Sequence, residues 1–332
     1  MPELRIDPLT GRLVSYAPER AKRPVEFGSE TQRPISDDRS RCPFCPGKEE
    51  NLSPAVLVLV KGDMGLKFER ESGEERKKNW LVKVIPNLYP AFSKDDVLLV
   101  GEERKKAPGI HEVVIDTPVH DAYPWKMSVD QLQYFLLTVR ERLRQLEREP
   151  GITYACFGKN FGPHSGASLM HPHTHVFASS LTPPIILREA EKLSGENCLL
   201  CGYVKEISGP RAILSTKGFA AVCPWASREP YEVMVFPKEH WRRFTNLGDQ
   251  ELFELANMLS TIFKAMWKVL GDFSFNMVLH TKPRDVDDFH WHIEIIPRLL
   301  APMVSEVGLE VYVNTVFPED AAEKLRSAIK QI

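Results

Sequence analysis

Two long stretches of the chain carry apolar residues at helical spacing: Leu132, Leu136, Val139, Leu143 and Leu146 in one, and Leu252, Leu255, Leu259, Ile262, Met266 and Val269 in the other. Both predict amphipathic helices. Ser128 with Gln131 reads as a capping box heading the first, Asp249 heads the second, and Pro150-Gly151 and Gly271 end them. Ahead of each helix lies a short apolar run of strand character, residues 80–86 and 218–224, stopped by a proline. Each is followed by a copy of one frame: His111-Glu-Val-Val-Ile-Asp-Thr-Pro-Val-His120 aligns with Tyr231-Glu-Val-Met-Val-Phe-Pro-Lys-Glu-His240. Nearly the same offset relates His171 to His290 and His173 to His292. Each half therefore reads as a CxxC pair, a strand, a strand ending at a histidine, a helix, a strand and a histidine-motif strand. That order predicts an α+β fold built by internal duplication, two tandem domains that each pack a helix on an antiparallel sheet. The expected halves are residues 1–182 and 183–332, joined near Thr182-Pro183-Pro184.

The chain has 332 residues and 43 % hydrophobic content, enough for one large or two fused domains and too much for fibrous, collagenous or disordered classes. No apolar run approaches the ~18 to 20 residues of a membrane span, and the opening Met-Pro-Glu-Leu-Arg-Ile-Asp lacks the apolar stretch of a signal peptide. A cytoplasmic protein without a membrane partner is expected. Net charge is only −2, and the basic runs at 75–78 and 103–106 are short and mixed, reading as solvated loop tips. No nucleic-acid partner is expected from so weak a field.

Four of the six cysteines form two CxxC pairs, Cys42/Cys45 and Cys198/Cys201. In the first, Pro43, Pro46 and Gly47 bend the chain so that both thiolates can face one ion, whereas a redox pair of thioredoxin type should open a helix. Metal is the better reading, and lone Cys156 and Cys223 read as core residues. Half of the ten histidines cluster, as His171-Pro-His173-Thr-His175 and His290-Trp-His292. In a strand the first three share a face at ~6 to 7 Å spacing. The duplication then completes two four-ligand sets: Cys42, Cys45, His120 and His171, and Cys198, Cys201, His240 and His290. Each has the closed Cys2His2 count of structural zinc, two ions per chain, with no position left for a metal-bound water. His173 remains free beside its anchored neighbour, a fixed imidazole that can serve as base or nucleophile. The preceding segment, with Gly158, Lys159, Gly162, Gly166 and Ser168, reads as a small-residue loop whose amides and hydroxyls cradle phosphate oxygens.

On these residues the chain resembles the galactose-1-phosphate uridylyltransferase branch of the histidine-triad superfamily, which includes ADP-glucose phosphorylase and diadenosine-tetraphosphate phosphorylase. The resemblance spans nearly the whole length, from Leu4-Arg-Ile-Asp-Pro8-Leu-Thr-Gly11, Arg23-Pro24 and Asn87-Leu-Tyr-Pro90 to Gly308-Leu-Glu310 and residues 314–320. It implies two histidine-triad-like domains and a ping-pong transfer of a nucleoside monophosphate between a nucleotide sugar and a sugar 1-phosphate, as in UDP-glucose–hexose-1-phosphate uridylyltransferase. His173 would carry the nucleotide as a covalent phosphoramidate. It further implies that Ser168 contacts phosphate, that Asn87 lies on the nucleotide side, that Asn160 is substrate-binding, and that Glu310 binds the hexose across a homodimer interface. His175 joins the substrate-binding set, and His292 is a binding or structural residue. The pattern departs at His175, where the transferase has glutamine, and at 303–309, which lacks the lysine and tyrosine of the familiar sugar site. The alternative is adenylyl transfer to inorganic phosphate, as in ADP-glucose or diadenosine-tetraphosphate phosphorylase, and a non-enzymatic nucleotide-binding regulator is a third class. A nucleophilic His173 must be neutral, so turnover is expected to decline as pH falls through roughly 6 to 7.

Overall fold

The computed structural model describes residues 2–22, 39–205, 207–299 and 301–332; Arg23-Pro24 of the family-like opening lies outside the described residues. Along the chain come β1 (Glu3–Ile6), β2 (Leu13–Tyr16), β3 (Leu57–Gly62), β4 (Gly65–Glu69), β5 (Trp80–Pro86), β6 (Val97–Val100), β7 (Glu103–Lys106), β8 (Gly109–Ile115), α1 (Val129–Arg148), β9 (Tyr154–Phe161) and β10 (His173–Ser179). The second half adds α2 (Pro184–Lys192), α3 (Leu199–Lys205), β11 (Ala212–Ser215), β12 (Phe219–Val222), β13 (Val233–Pro237), α4 (Asp249–Leu270), β14 (Phe275–His280), β15 (His292–Pro297), α5 (Val304–Leu309), β16 (Val311–Asn314) and α6 (Pro318–Ile329).

The duplication is explicit in the strand order of one eleven-stranded sheet, β11-β12-β13-β15-β14-β9-β10-β8-β5-β3-β4. Read outward from the antiparallel β9–β14 seam, β9, β10, β8, β5 and β3 match β14, β15, β13, β12 and β11. The two halves thus share a single sheet, and the seam pairs Asn160 with Asn276 and Lys159 with Met277.

The predicted helices are α1 and α4, lying side by side on one face. Val82, Val84, Val114, Phe157 and Val176 bury against Leu136, Leu143 and Leu259 there in a common core. Ser128 caps α1 by accepting from the Gln131 amide, but the Gln131 side chain departs from the capping box. Its Nε2 donates instead to the Leu81 and Asp116 carbonyls, tying the helix start to two strands. The run at 103–106 is also not a loop tip: it is β7, the exposed second strand of a hairpin with β6.

The period-2 alternation of the strands turns the histidines to the opposite face. His173 lies opposite Ile115 and His175 opposite Val113 across β8, so His111, Val113, His173, His175 and Phe177 share that face. In the second half α2 and α3 cover the same side, packing Ile186, Leu193 and Leu200 on Val222, Met234 and Phe236. No helix among the described residues is long and apolar enough to cross a membrane.

Candidate active site

His173 opens β10, held between β8 and β9, and is 4 % exposed. Its Nδ1 lies 2.8 Å from the His171 carbonyl, which can only accept, so Nδ1 carries the ring proton and Nε2 the lone pair. Burial, with the Lys159 ammonium second, pushes its pKa down to about 4. The imidazole is therefore neutral at physiological pH. Phe44, from between the first two cysteines, lies with its ring centre 5.5 Å from that of His173 and gives it an apolar wall.

A chain of hydrogen bonds fixes the neighbouring rings in the same way. The Ala91 backbone N–H donates to His111 Nδ1 at 2.9 Å, leaving the proton of neutral His111 on Nε2. That nitrogen lies 3.0 Å from His175 Nδ1, which must accept, so His175 carries its own proton on Nε2. Both rings stay neutral: burial pushes His111 down to about 4 and lowers His175 too. Asn87 rests against His111, with its donor Nδ2 3.4 Å from the accepting Nδ1. His175 is thus a hydrogen-bond donor where the transferase pattern has an amide. His111 was not singled out from sequence, because its partners come from two segments distant from it, residues 87–91 and β10.

The small-residue segment is not all loop. Gly158, Lys159 and Asn160 belong to β9, and Lys159 is buried at 4 % exposure on the helix side, outside any phosphate cradle. The turn begins at Gly162, whose φ of +84° and proximity to Ser274 exclude a Cβ. Ser274 Oγ in turn accepts from the His164 amide. Asn276 reaches across the seam, donating to Asn160 Oδ1 at 2.8 Å and to the Ser165 carbonyl at 3.0 Å. The second half therefore buttresses the loop, and Ser168 stands exposed at its far end. Glu310 lies exposed at the carboxy-terminal end of α5 in the left-handed region, φ +54°.

Both predicted Cys2His2 sets assemble. Nδ1 of His171 lies 3.5 and 3.7 Å from the sulfurs of Cys42 and Cys45, and His120 Nδ1 lies 3.2 Å from Cys45. The copy repeats this, with His290 3.4 and 3.5 Å from Cys198 and Cys201 and His240 3.3 Å from Cys201. In each set the buried histidine donates from Nε2 to a carbonyl, Thr117 or Pro237, turning Nδ1 to the thiols. Burial, with the neighbouring thiol adding to it, pushes Cys45 up to about 11 and Cys198 up to about 12, so a cation is needed to hold them as thiolates. The arrangement has the donor chemistry of a closed metal centre.

His292, expected as a binding or structural residue, is wholly enclosed and grouped with Glu189, His280 and Glu294. His280 donates to Glu189 at 2.7 Å, while Glu294 pairs with Arg228. Glu189 and His280 went unnoticed in the sequence, since one lies on α2 and the other closes β14 with no motif around it. This cluster also has ligand atoms close enough for a metal ion.

No family model matches the chain. Among curated proteins, ADP-glucose phosphorylase of Arabidopsis thaliana is 31 % identical over 349 aligned positions, covering 98 % of this chain and 92 % of the relative. Galactose-1-phosphate uridylyltransferase of Thermotoga maritima is 26 % identical, covering all of both chains. Among solved structures, an Arabidopsis thaliana ADP-glucose phosphorylase with bound ADP-glucose superposes with a TM-score of 0.80 at 28 % identity, covering 98 % of this chain and 99 % of its own. A uridylyltransferase mutant gives 0.73 at 26 % identity, covering 100 % of this chain and 98 % of its own. With this extent of likeness and a histidine-motif strand of this geometry, the chain belongs to the galactose-1-phosphate uridylyltransferase family, which includes ADP-glucose phosphorylase, and is a nucleotidyltransferase.

Proposed function

We propose that this enzyme transfers the adenylyl group of ADP-glucose to inorganic phosphate through a covalent nucleotidyl-histidine on His173. The observation that carries the covalent step is the bond from His173 Nδ1 to the His171 carbonyl, which leaves the Nε2 lone pair free on a rigid, neutral ring. Nε2 attacks the α-phosphorus; the P–N bond forms as the P–O bond to glucose 1-phosphate breaks, and the leaving phosphate takes the electron pair. A phosphate oxygen then attacks the same phosphorus, ADP forms, and the P–N bond returns its pair to Nε2. His175, protonated on Nε2, donates to a phosphate oxygen; Ser168 adds a hydroxyl, and Asn87 and Asn160 stand on the nucleotide side. The adenine and phosphate choice is supported by the Arabidopsis relative, more similar to this chain than the Thermotoga transferase. The full-length match to that transferase supports a second reading, uridylyl transfer from UDP-glucose to a hexose 1-phosphate.

Both Cys2His2 sets are zinc sites in this reading. Tetrahedral zinc with bonds of ~2.3 Å to sulfur and ~2.05 Å to nitrogen sets S···N separations of about 3.6 Å, and the separations here are 3.2–3.7 Å. When bound, zinc supplies a fixed crosslink and thiolate charge balance, and the residues it fixes include His171, two positions from His173. The functional unit is a homodimer in which Glu310 reaches the partner's hexose. Exposed Val304, Val307 and Leu309, 72–86 % accessible beside Glu310, support such an interface.

Incubation with ADP-glucose or UDP-glucose labelled in the α-phosphate, followed by denaturation, tests the proposal. Label from ADP-glucose should stay on the protein, be discharged as ADP by phosphate, and be absent from His173→Gly. Labelling from UDP-glucose alone overturns the adenylyl reading, and labelling of His173→Gly overturns the nucleophile.

A further inference from the structure

On the sheet face turned away from the histidines, three adjacent segments bring Asp116, Lys159 and Thr174 together, none more than 4 % exposed. Lys159 Nζ donates to Asp116 Oδ2 at 2.6 Å and to the main-chain carbonyl of His173 at 2.8 Å. The Thr174 hydroxyl donates to the same carboxylate oxygen at 3.1 Å, and the Asp116 amide donates to the Pro172 carbonyl at 3.1 Å. Asp116 is itself held, since Gln131 Nε2 donates to its carbonyl at 2.7 Å. Asp116 Oδ1 has no partner among the described residues.

Stability is a weak reason for such a pair. Desolvating an ammonium and a carboxylate costs about what their attraction returns, and apolar residues of equal volume often serve the fold as well. What an apolar pair cannot do is grip one chosen carbonyl. The carbonyl gripped here belongs to the residue whose ring performs the proposed attack, while the ring itself is tied on the other side by Nδ1 to His171. Main chain and imidazole are thus held from opposite faces of the sheet.

We propose that Lys159, held in place by Asp116, is a positioning residue for His173: its ammonium fixes the main chain at residue 173 and thereby the aim of Nε2 at phosphorus. The proposal rests on the reading of His173 as nucleophile. Lys159 touches neither substrate nor the reacting atoms; it acts through the strand, and an aim displaced by about 1 Å is enough to cost on the order of a hundredfold in rate.

Lys159→Met by itself strands a buried carboxylate, so the informative variant is Lys159→Met combined with Asp116→Asn, which removes both charges at nearly constant volume. Its thermal unfolding should stay near that of the parent. The rate constant for labelling by saturating nucleotide sugar should fall at least about tenfold while KM stays within about twofold, because substrate contacts are untouched. Lys159→Arg keeps the ion pair but displaces the donor from the carbonyl, and should show the same split in a fold that retains its charges; it decides the matter if the double variant does not fold. Parental labelling rates in either variant overturn the inference. Failure of the parent reading is seen separately, as labelling that persists in His173→Gly.

Discussion

At the scale of single residues, the chemistry depends on where protons sit. An ordinary histidine titrates at about 6.5, and from sequence the acid limb of activity was placed at roughly 6 to 7 on that basis. Burial changes this, because the apolar wall of Phe44 and the ammonium of Lys159 disfavour the imidazolium and bring His173 down to about 4. Its folded value lies below the unfolded one, so protonation is resisted in the folded enzyme. A profile of log kcat/KM against pH should stay level from neutrality to about pH 5 and bend downward only near 4. By the same linkage the unfolded chain takes up the proton first, so this group's contribution to stability is present above about 6.5 and declines as pH falls toward 4. A limb at 6.5 would mean that His173 is solvated in the working enzyme. His175 yields a second prediction. Because Ala91 and His111 set its tautomer, it offers one N–H, which a glutamine amide also offers. His175→Gln should keep nucleotidyl transfer within about tenfold of the parent, whereas His175→Ala should lose about a hundredfold, as expected for removal of one donor to developing phosphate charge. Equal loss in both variants points to a proton-transfer role instead.

At the scale of elements, the parts readable from sequence are those whose periodicity is enforced by the shared core. The helices α1 and α4, the strands β5 and β8 and the histidine-motif strands all carry a repeating apolar face, because each must bury one side. Leu143 is wholly buried between α1 and the sheet, and Leu143→Ala should cost about 2–5 kcal/mol in chemical denaturation. Ser128→Ala, which removes only the cap, should cost about 1 kcal/mol. Reversal of that order would show α1 to be held by its end rather than by its face. The hairpin β6–β7 and helices α2 and α3 were not legible, for a physical reason. The hairpin leaves Leu99 and Val100 about 60 % exposed and has no buried stripe to betray it, while α2 and α3 are too short to establish a period. The cost of missing α2 was missing Glu189, the carboxylate that meets His280 beneath β14. Likewise Lys159 was assigned to a phosphate loop because the glycines around it suggested one, when β9 runs through Phe161 and turns its ammonium to the other face.

At the scale of the whole molecule, a two-fold relation of halves has been put to unequal use. The seam at β9–β14 makes one sheet of two copies, and each copy ties a CxxC pair, in a turn in the first half and at the start of α3 in the second, to a strand end through the same four donors. The ligand sets were legible because the duplication repeats them, and the sequence already set His292 apart from His173; what it did not show is the company of His292, namely Glu189 and His280, which come from elements without a motif. His173 is flanked on its face by the partly exposed rings of His111 and His175, whereas His292 is packed beneath α2 with Glu189, and Glu294 beside it pairs with Arg228. The second half therefore supplies support, including Ser274 and Asn276 under the first half's loop. This asymmetry yields a test of the two proposed zinc centres. His240→Ala removes a ligand from the centre remote from His173, leaving buried Cys198 and half-buried Cys201 without their fourth partner. It should bring the protein from two zinc equivalents to one and lower its thermal midpoint markedly, since a structural site contributes its binding free energy to folding. Below that midpoint, labelling of His173 should persist at close to the parental rate. His120→Ala, at the centre that holds His171, should likewise remove one zinc but slow labelling as well, because the anchor of the nucleophile strand is loosened. Elemental analysis, thermal unfolding and the labelling rate measured on the two variants distinguish the outcomes: equal loss of labelling in both would assign the metals a common role in keeping the single sheet intact, and no loss in either would separate zinc from the alignment of His173.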